Sequence, residues 1–206
     1  MSEQKQGLLL IVSGPAGSGK GTVLRQLMSD PRYVYSVSAT TRHPRPEDKE
    51  GVTYYFFTRE QFLSKVEKGE MLEYTQYVGN YYGTPKEKVS HALREGKNVI
   101  LEIETDGAMQ VKKLMPDAVS VMLLPPDYAT LEGRLRGRGT EDEETILKRL
   151  KTAVDEVALC DRYDYIIVNE TGKSEQAVQR LREIVAVEQL RPERDPDFKA
   201  RFFAKG

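Results

Sequence analysis

The chain has 206 residues, 31 Lys+Arg against 32 Asp+Glu, a formal net charge of -1, one Cys and no Trp. That length suits one domain with a sizeable core, and the balanced charge gives no electrostatic support to non-specific nucleic-acid binding. The lone Cys160 excludes an internal disulfide framework or a four-Cys zinc cage, and the early apolar stretch 8–12 is too short for a signal or membrane segment. The expectation is a protein of the cytoplasm, with no nucleic-acid partner and no membrane association.

Apolar runs at 8–13, 34–37, 98–104, 119–124 and 165–169 are short and nearly continuous, as in strands buried on both faces. Helical patterns fall between them, at 23–28, 109–114 and 174–190. Thr140 and Glu143 form a capping box ahead of another, in which Ile146, Leu147, Leu150, Ala153, Val154, Val157 and Ala158 share one apolar face. Strand and helix in alternation predict an α/β fold with a central, mainly parallel sheet. Residues 38–95 read differently. They hold most of the tyrosines, a Pro-rich Arg segment, and turn signals at Gly79-Asn80 and Gly83-Thr84-Pro85. Short antiparallel strands around a helix at 60–68 are expected there, as a lobe inserted between core segments 7–37 and 96–190. A Gly- and Arg-rich excursion inside 133–150 suits a mobile lid. The tail, 191–206, is polar, and is read as either frayed or a partner contact.

The first strand runs into Gly14-Pro15-Ala16-Gly17-Ser18-Gly19-Lys20-Gly21-Thr22. Glycines let successive N–H groups point inward at phosphate oxygens, the following helix turns its positive end on the same anion, and Lys20 supplies a mobile charge. Strand, loop and helix in this order predict a nucleoside triphosphate site over Gly14 to Thr22. Gly21 stands where the usual pattern has Ser or Thr, with the hydroxyl one residue later at Thr22. Direct and water-mediated Mg²⁺ contact by Thr22 both remain open.

Ser38-Ala-Thr-Thr-Arg42-His-Pro-Arg45 enters a Pro-stiffened loop, and the spacing lets Arg42 and Arg45 converge on one anion. Guanidinium groups suit a phosphate monoester, and the tyrosines of Thr53-Tyr54-Tyr55 add possible donors. A solvated pair of loop arginines is the alternative.

Six segments in order resemble the guanylate kinase family: Gly14 to Thr22, Ser38-x-Thr-Thr-Arg42-x-x-Arg45, Tyr54-Tyr-Phe, Leu72-Glu73-Tyr74, Gly79-Asn-Tyr-Tyr82-Gly-Thr84, and Arg136-Gly-Arg138-Gly-Thr140. Val168-Asn169 fits the same pattern. The resemblance implies a P-loop NTPase-like three-layer fold and phosphoryl transfer from ATP, with Mg²⁺, to GMP and also dGMP. By resemblance, Arg42, Arg45, Tyr54 and Tyr82 hold the GMP phosphate, and Ser38, Glu73, Thr84 and Glu104 the guanine. Asn169 falls near the adenine, and Glu102 contacts Mg²⁺ through water. An ionised carboxylate such as Glu73 accepts from both N1–H and N2–H of guanine, and adenine offers neither donor; sites of this kind reject the wrong ligand by about 10⁴-fold. Two departures stand out: Gly21, and Asp106 where the family pattern has Gln. An N-cap role explains Asp106 most simply.

Phosphoryl transfer to a phosphate oxygen needs late-arriving positive charge rather than a general base. The resemblance gives that role to Lys20 and Arg42 and to the lid arginines Arg134, Arg138 and Arg149. The rival readings are a non-catalytic guanylate-kinase-like interaction module and a kinase for another acceptor. Self-association is left open.

Overall fold

The computed structural model describes residues 6–137, 139 and 142–204. The core opens with β1 (Leu9–Ser13), α1 (Lys20–Leu27) and β2 (Tyr33–Tyr35). A lobe follows, made of β3 (Ala39–Thr40), β4 (Tyr55–Phe56), α2 (Arg59–Glu67), β5 (Met71–Tyr77) and β6 (Asn80–Pro85). The chain then returns through α3 (Lys86–Arg94), β7 (Asn98–Glu102), α4 (Thr105–Leu114) and β8 (Val119–Leu124). It ends with α5 (Tyr128–Arg136), α6 (Glu143–Val157), β9 (Tyr165–Val168), α7 (Ser174–Glu188) and the short α8 (Phe198–Phe203).

The central sheet has the order β2-β7-β1-β8-β9 with every pair parallel. Alternation along β1 explains its unbroken apolar run. Leu8, Leu10 and Val12 pack with residues of α1 and α7 on one face, while Leu9 and Ile11 pack with residues of α3 and α4 on the other. Each such side chain contributes about 1.5–3 kcal/mol on full burial. The result is the α/β fold with a central parallel sheet that the sequence pattern predicted, in the three layers that the resemblance implied. Among the described residues, no helix is long and apolar enough to cross a membrane.

The strand predicted over 98–104 leaves the ladder at Glu102, and Ser13 Oγ donates to the carbonyl of Ile103 (2.7 Å) just beyond it. Glu104 therefore lies at the N-cap of α4 rather than two places along a strand from Glu102. Asp106 is the second residue of that helix, so it is not the cap; a carboxylate there still favours the helix dipole.

The lobe sheet runs β4-β3-β6-β5 and is mixed, because β3 and β4 pair in parallel. The chain loops out over residues 41–54 and re-enters in the same direction. The β5–β6 hairpin turns at Val78 (φ 46°) and Gly79 (φ 78°), one residue before the predicted turn. Gly83-Thr84-Pro85, read from sequence as a turn, is strand instead. Gly83 serves close approach there, since a Cβ would lie 2.6 Å from the carbonyl oxygen of Glu73.

Helix α6 is capped by Asp142, whose side chain accepts from the Thr145 N–H (2.8 Å), so the helix begins later than a Thr140 box requires. Thr140 itself, like Arg138, lies outside the described residues. Ile146, Leu150 and Ala153 pack with Leu131 and Leu135 of α5 and with Ala16. Leu147 and Val154 stay more than half exposed, because only one side of α6 is covered. The start of the tail is docked, since Arg194 donates to the Asp117 carbonyl (2.9 Å) and to buried Glu188 (3.1 Å), while Phe198, Phe202 and Phe203 beyond it stay exposed.

Candidate active site

The carboxyl ends of β1, β7, β8 and β9 open onto one crevice, where ligands of parallel α/β sheets sit. Gly14 leaves β1 with φ 146°, and a Cβ on it would stand 2.1 Å from the Leu123 carbonyl oxygen. Gly19 is the left-handed N-cap of α1 (φ 91°), where a Cβ would meet Asn169 Nδ2 at 2.3 Å. Only glycine fits either place. The Asn169 amide donates to the Ser18 carbonyl (2.8 Å) and locks the loop to the end of β9. Its Oδ1 and the Ser18 hydroxyl are buried without a hydrogen-bond partner. Lys20 Nζ folds back onto the Gly14 carbonyl, placing its charge over the loop.

Pro15 to Thr22, together with Arg25 and Glu102, line a cavity of about 290 Å³. A wider cleft of about 510 Å³ continues from Gly17, Gly19 and Thr22 to Arg134, Asn169 and Thr171. The two share the phosphate loop and leave room for an elongated anionic ligand along it.

Across the sheet edge, Ser38, Tyr54, Thr84 and Glu102 line a separate cavity of about 280 Å³ with Tyr35 and Ile103. Glu102 thus borders both the phosphate-loop cavity and this one. Its charge is also felt by Tyr35, whose phenol is pushed up to about 12 by burial first and then by Glu102. Glu104 is exposed, and the described residues lining this cavity do not include it. It sits instead within electrostatic reach of Glu156 of α6. Burial raises the Glu156 carboxyl above the usual range, Lys20 pulls it down and Glu104 pushes it up.

Glu73 is 6% exposed on β5, and Thr84 Oγ1 donates to its Oε1 (2.6 Å). Burial raises its carboxyl above the ordinary glutamate value, partly opposed by that hydrogen bond. The arrangement holds one carboxylate oxygen and leaves Oε2 facing the α4 side, near Gly107.

Arg42, Tyr54 and Tyr82 come together. The Arg42 guanidinium lies over the rings of Tyr54 (5.5 Å) and Phe56 (5.8 Å), and the Tyr54 and Tyr82 rings meet edge-on at 6.1 Å. Asp48, which sequence reasoning missed, pairs with Arg42 (2.8 Å) and accepts from the Arg45 main-chain N–H (2.7 Å). The Arg42 guanidinium is held charged by Asp48 first, with a further contribution from Tyr82. Arg45 is exposed and joins the cluster through its backbone. The only sequence signal for Asp48 was an acid three residues beyond Arg45 in a Pro-rich loop.

Arg134, near the end of α5, braces the loop rather than projecting from it. It donates to the carbonyls of Asn169 (2.8 Å), Gly17 and Ser18 (3.4 Å each) and to the Thr171 hydroxyl (3.1 Å). Arg149 is half-buried on α6, two turns before Glu156 and on the same face, the face that senses Lys20. Arg136 is tied to Glu132 and Glu143 on the surface.

The guanylate kinase family model matches residues 6–188. The guanylate kinase of Lactococcus lactis subsp. lactis (strain IL1403) is 49% identical over 192 residues, 93% of each chain. That of Halalkalibacterium halodurans is 48% identical over 193 residues, covering 93% of this chain and 94% of the relative. The crystal structure of guanylate kinase from Anaplasma phagocytophilum superposes with a TM-score of 0.68 at 32% identity, over 91% of this chain and 89% of that one. With a complete phosphate loop, a second cavity meeting it at Glu102 and this likeness over nearly its whole length, the chain belongs to the guanylate kinase family.

Proposed function

We propose that this chain transfers the γ-phosphoryl group of ATP to GMP, with ATP along the phosphate loop and GMP in the cavity of Ser38, Tyr54 and Thr84. The observation that supports this assignment of sites is that the two cavities share Glu102, so that ligands filling them would meet end to end. A phosphate oxygen of GMP, already anionic at neutral pH, attacks the γ-phosphorus; the bond to the β,γ-bridging oxygen breaks, and ADP leaves as GDP forms. No general base is required. The cost lies in crowding negative charge, and the chain meets it with oriented amides and cations.

Main-chain N–H groups of the Gly14 to Thr22 loop, Pro15 having none, and the Lys20 ammonium hold the β- and γ-phosphates. Arg42, Tyr54 and Tyr82, with Arg45 at the rim, hold the acceptor phosphate. Arg149, and Arg138 from the lid, reach the transferring group on closure, while Arg134 keeps the loop and Asn169 in register for the adenosine end. Thr22 and Glu102 offer hard oxygens to one cavity, a donor set that suits Mg²⁺ with phosphate and water completing its coordination. Bound there, Mg²⁺ supplies charge neutralisation on the phosphates.

Glu73 accepts from guanine N1–H and N2–H, Ser38 supplies a hydroxyl to the same base, Thr84 borders it with its proton given to Glu73, and Glu104 reaches that end of the site only on closure. The contacts assigned here fall on the base and the phosphate, so dGMP is a second acceptor in the same reading. A cytoplasmic setting without nucleic-acid partners is supported by the lone Cys160 and the balanced charge. A coupled assay for ADP with Mg²⁺ and ATP, run in parallel with GMP, dGMP, AMP and dTMP, tests the reading: GMP and dGMP turn over, and AMP lags by about 10⁴-fold. Equal rates with AMP and GMP overturn it.

A further inference from the structure

Among the described residues, strand β5 is the outer strand of the lobe sheet, with β6 on one side and no strand on the other. In an antiparallel ladder the N–H and C=O of one residue point to the same side. Those of Tyr74 point away from β6, toward core helix α4, and one side chain takes both. Gln110 Oε1 accepts from the Tyr74 N–H (3.3 Å) and Gln110 Nε2 donates to the Tyr74 carbonyl (3.4 Å). The amide stands in for a missing strand, one residue past Glu73. One turn earlier on the same helix, Gly107 faces Glu73 directly. A Cβ there would lie 3.3 Å from Glu73 Oε2 and 3.6 Å from its Cγ.

We infer that Gln110 is a positioning residue for base selection: with Gly107 it forms a seat on α4 that holds the Glu73 carboxylate in the pose that reads guanine. This rests on the assignment of Glu73 to the base. Four constraints then converge on one carboxylate. Thr84 fixes Oε1, Gly107 leaves room at Oε2, Gly83 lets β6 abut the Glu73 carbonyl, and Gln110 ties the next peptide to the core. The pairing also spans lobe and core, since β5 belongs to one and α4 to the other. Without it the β5 edge bonds water, and the carboxylate gains freedom where discrimination depends on its angle.

The test replaces Gln110 with Met, similar in length and helix propensity but unable to make either hydrogen bond. Steady-state kinetics are measured with GMP and with IMP, which lacks the N2 amine, alongside melting temperature. Gln110→Met is expected to raise the KM for GMP about tenfold, the loss of two ordinary hydrogen bonds. It should narrow the preference for GMP over IMP, while KM for ATP and kcat at saturating GMP stay within about twofold. Gly107→Ala, which keeps the amide pair but crowds Oε2, is expected to show the same signature and serves if Gln110→Met does not fold. Glu73→Gln is the control. If it collapses the GMP preference while folded Gln110→Met and Gly107→Ala keep wild-type KM and preference, the seat is overturned. If Glu73→Gln itself keeps the preference, the base assignment falls and the seat with it.

Discussion

The carboxylate of Asp48 lies 2.8 Å from the Arg42 guanidinium and also accepts from the main-chain N–H of Arg45 at 2.7 Å. One acid thus neutralises the cation assigned to the acceptor phosphate and shapes the loop that carries its neighbour. The hydrogen bond from Arg45 and the Arg42 charge hold the Asp48 carboxyl below the usual range. In Asp48→Asn the amide oxygen can still accept from Arg45, but Arg42 loses its anion. The nucleotide-free protein is expected to melt roughly 2–4 °C lower. The GMP-induced rise in melting temperature should exceed that of the wild type, because the phosphate becomes the only counter-ion. A smaller rise, read by thermal shift with and without GMP, contradicts the placement of phosphate at Arg42.

Glu73 predicts a pH dependence. Burial lifts its folded-state pKa above the ordinary value near 4.5, so the folded protein binds this proton more tightly than the unfolded chain does. Nucleotide-free stability from this group therefore falls as pH rises from the ordinary glutamate value through the raised one. GMP affinity runs the other way: a protonated carboxyl cannot accept from both guanine donors. The KM for GMP is expected to climb on acidification at a higher pH than an ordinary glutamate would give, while the KM for ATP does not follow. Glu73→Gln should weaken GMP far more than ATP and flatten the profile. A profile with its inflection unmoved in Glu73→Gln assigns the titration to another group.

Lys20 and Arg149 carry charge to the transferring phosphoryl in this reading. Lys20→Ala and Arg149→Ala are each expected to lower kcat by about 10²–10³-fold while GMP binding survives. Single-turnover rates together with GMP titration separate the two effects. Turnover near the wild-type value in either variant removes that residue from the mechanism.

Gly19→Ala would force a Cβ to 2.3 Å from Asn169 Nδ2 at φ 91°. The left-handed conformation alone costs a non-glycine residue about 1–2 kcal/mol. The displaced Asn169 would release the Ser18 carbonyl, so ATP binding should fall by at least about tenfold, with GMP binding retained. Gly21→Ala is the contrast, since a Cβ there meets nothing within 4 Å. Near-normal ATP binding is expected for it, and equal losses in the two variants would show that space at Asn169 is not the reason for Gly19.

Gln110→Met completes the set, with its signature confined to GMP and its base.

Much of this molecule was legible along the chain. Runs such as Leu9–Ser13 and Val119–Leu124 are apolar on both faces because helices cover both, and Gly14 to Thr22 declares its chemistry because backbone amides must converge on phosphate. The GMP-side residues were nameable as a set through resemblance. Their arrangement was not. The apolar stripe of α6 read as one buried face, yet only Ile146, Leu150 and Ala153 found cover, because periodicity records what could be buried and not what is packed against it. Gly83-Thr84-Pro85 read as a turn because glycine and proline usually serve turns; here the glycine serves close approach of β5 and β6.

Local order, the phosphate loop and the alternation of strand and helix were thus determined by the sequence alone, since each depends on residues near one another in the chain. The pairing of Asp48 with Arg42, the seating of Glu73 between Thr84, Gly107 and Gln110, and the meeting of two cavities at Glu102 were decided only by the tertiary structure. Most of these contacts join residues many positions apart, and those of Gln110, Gly107 and Glu102 exist only once the lobe has packed against the core.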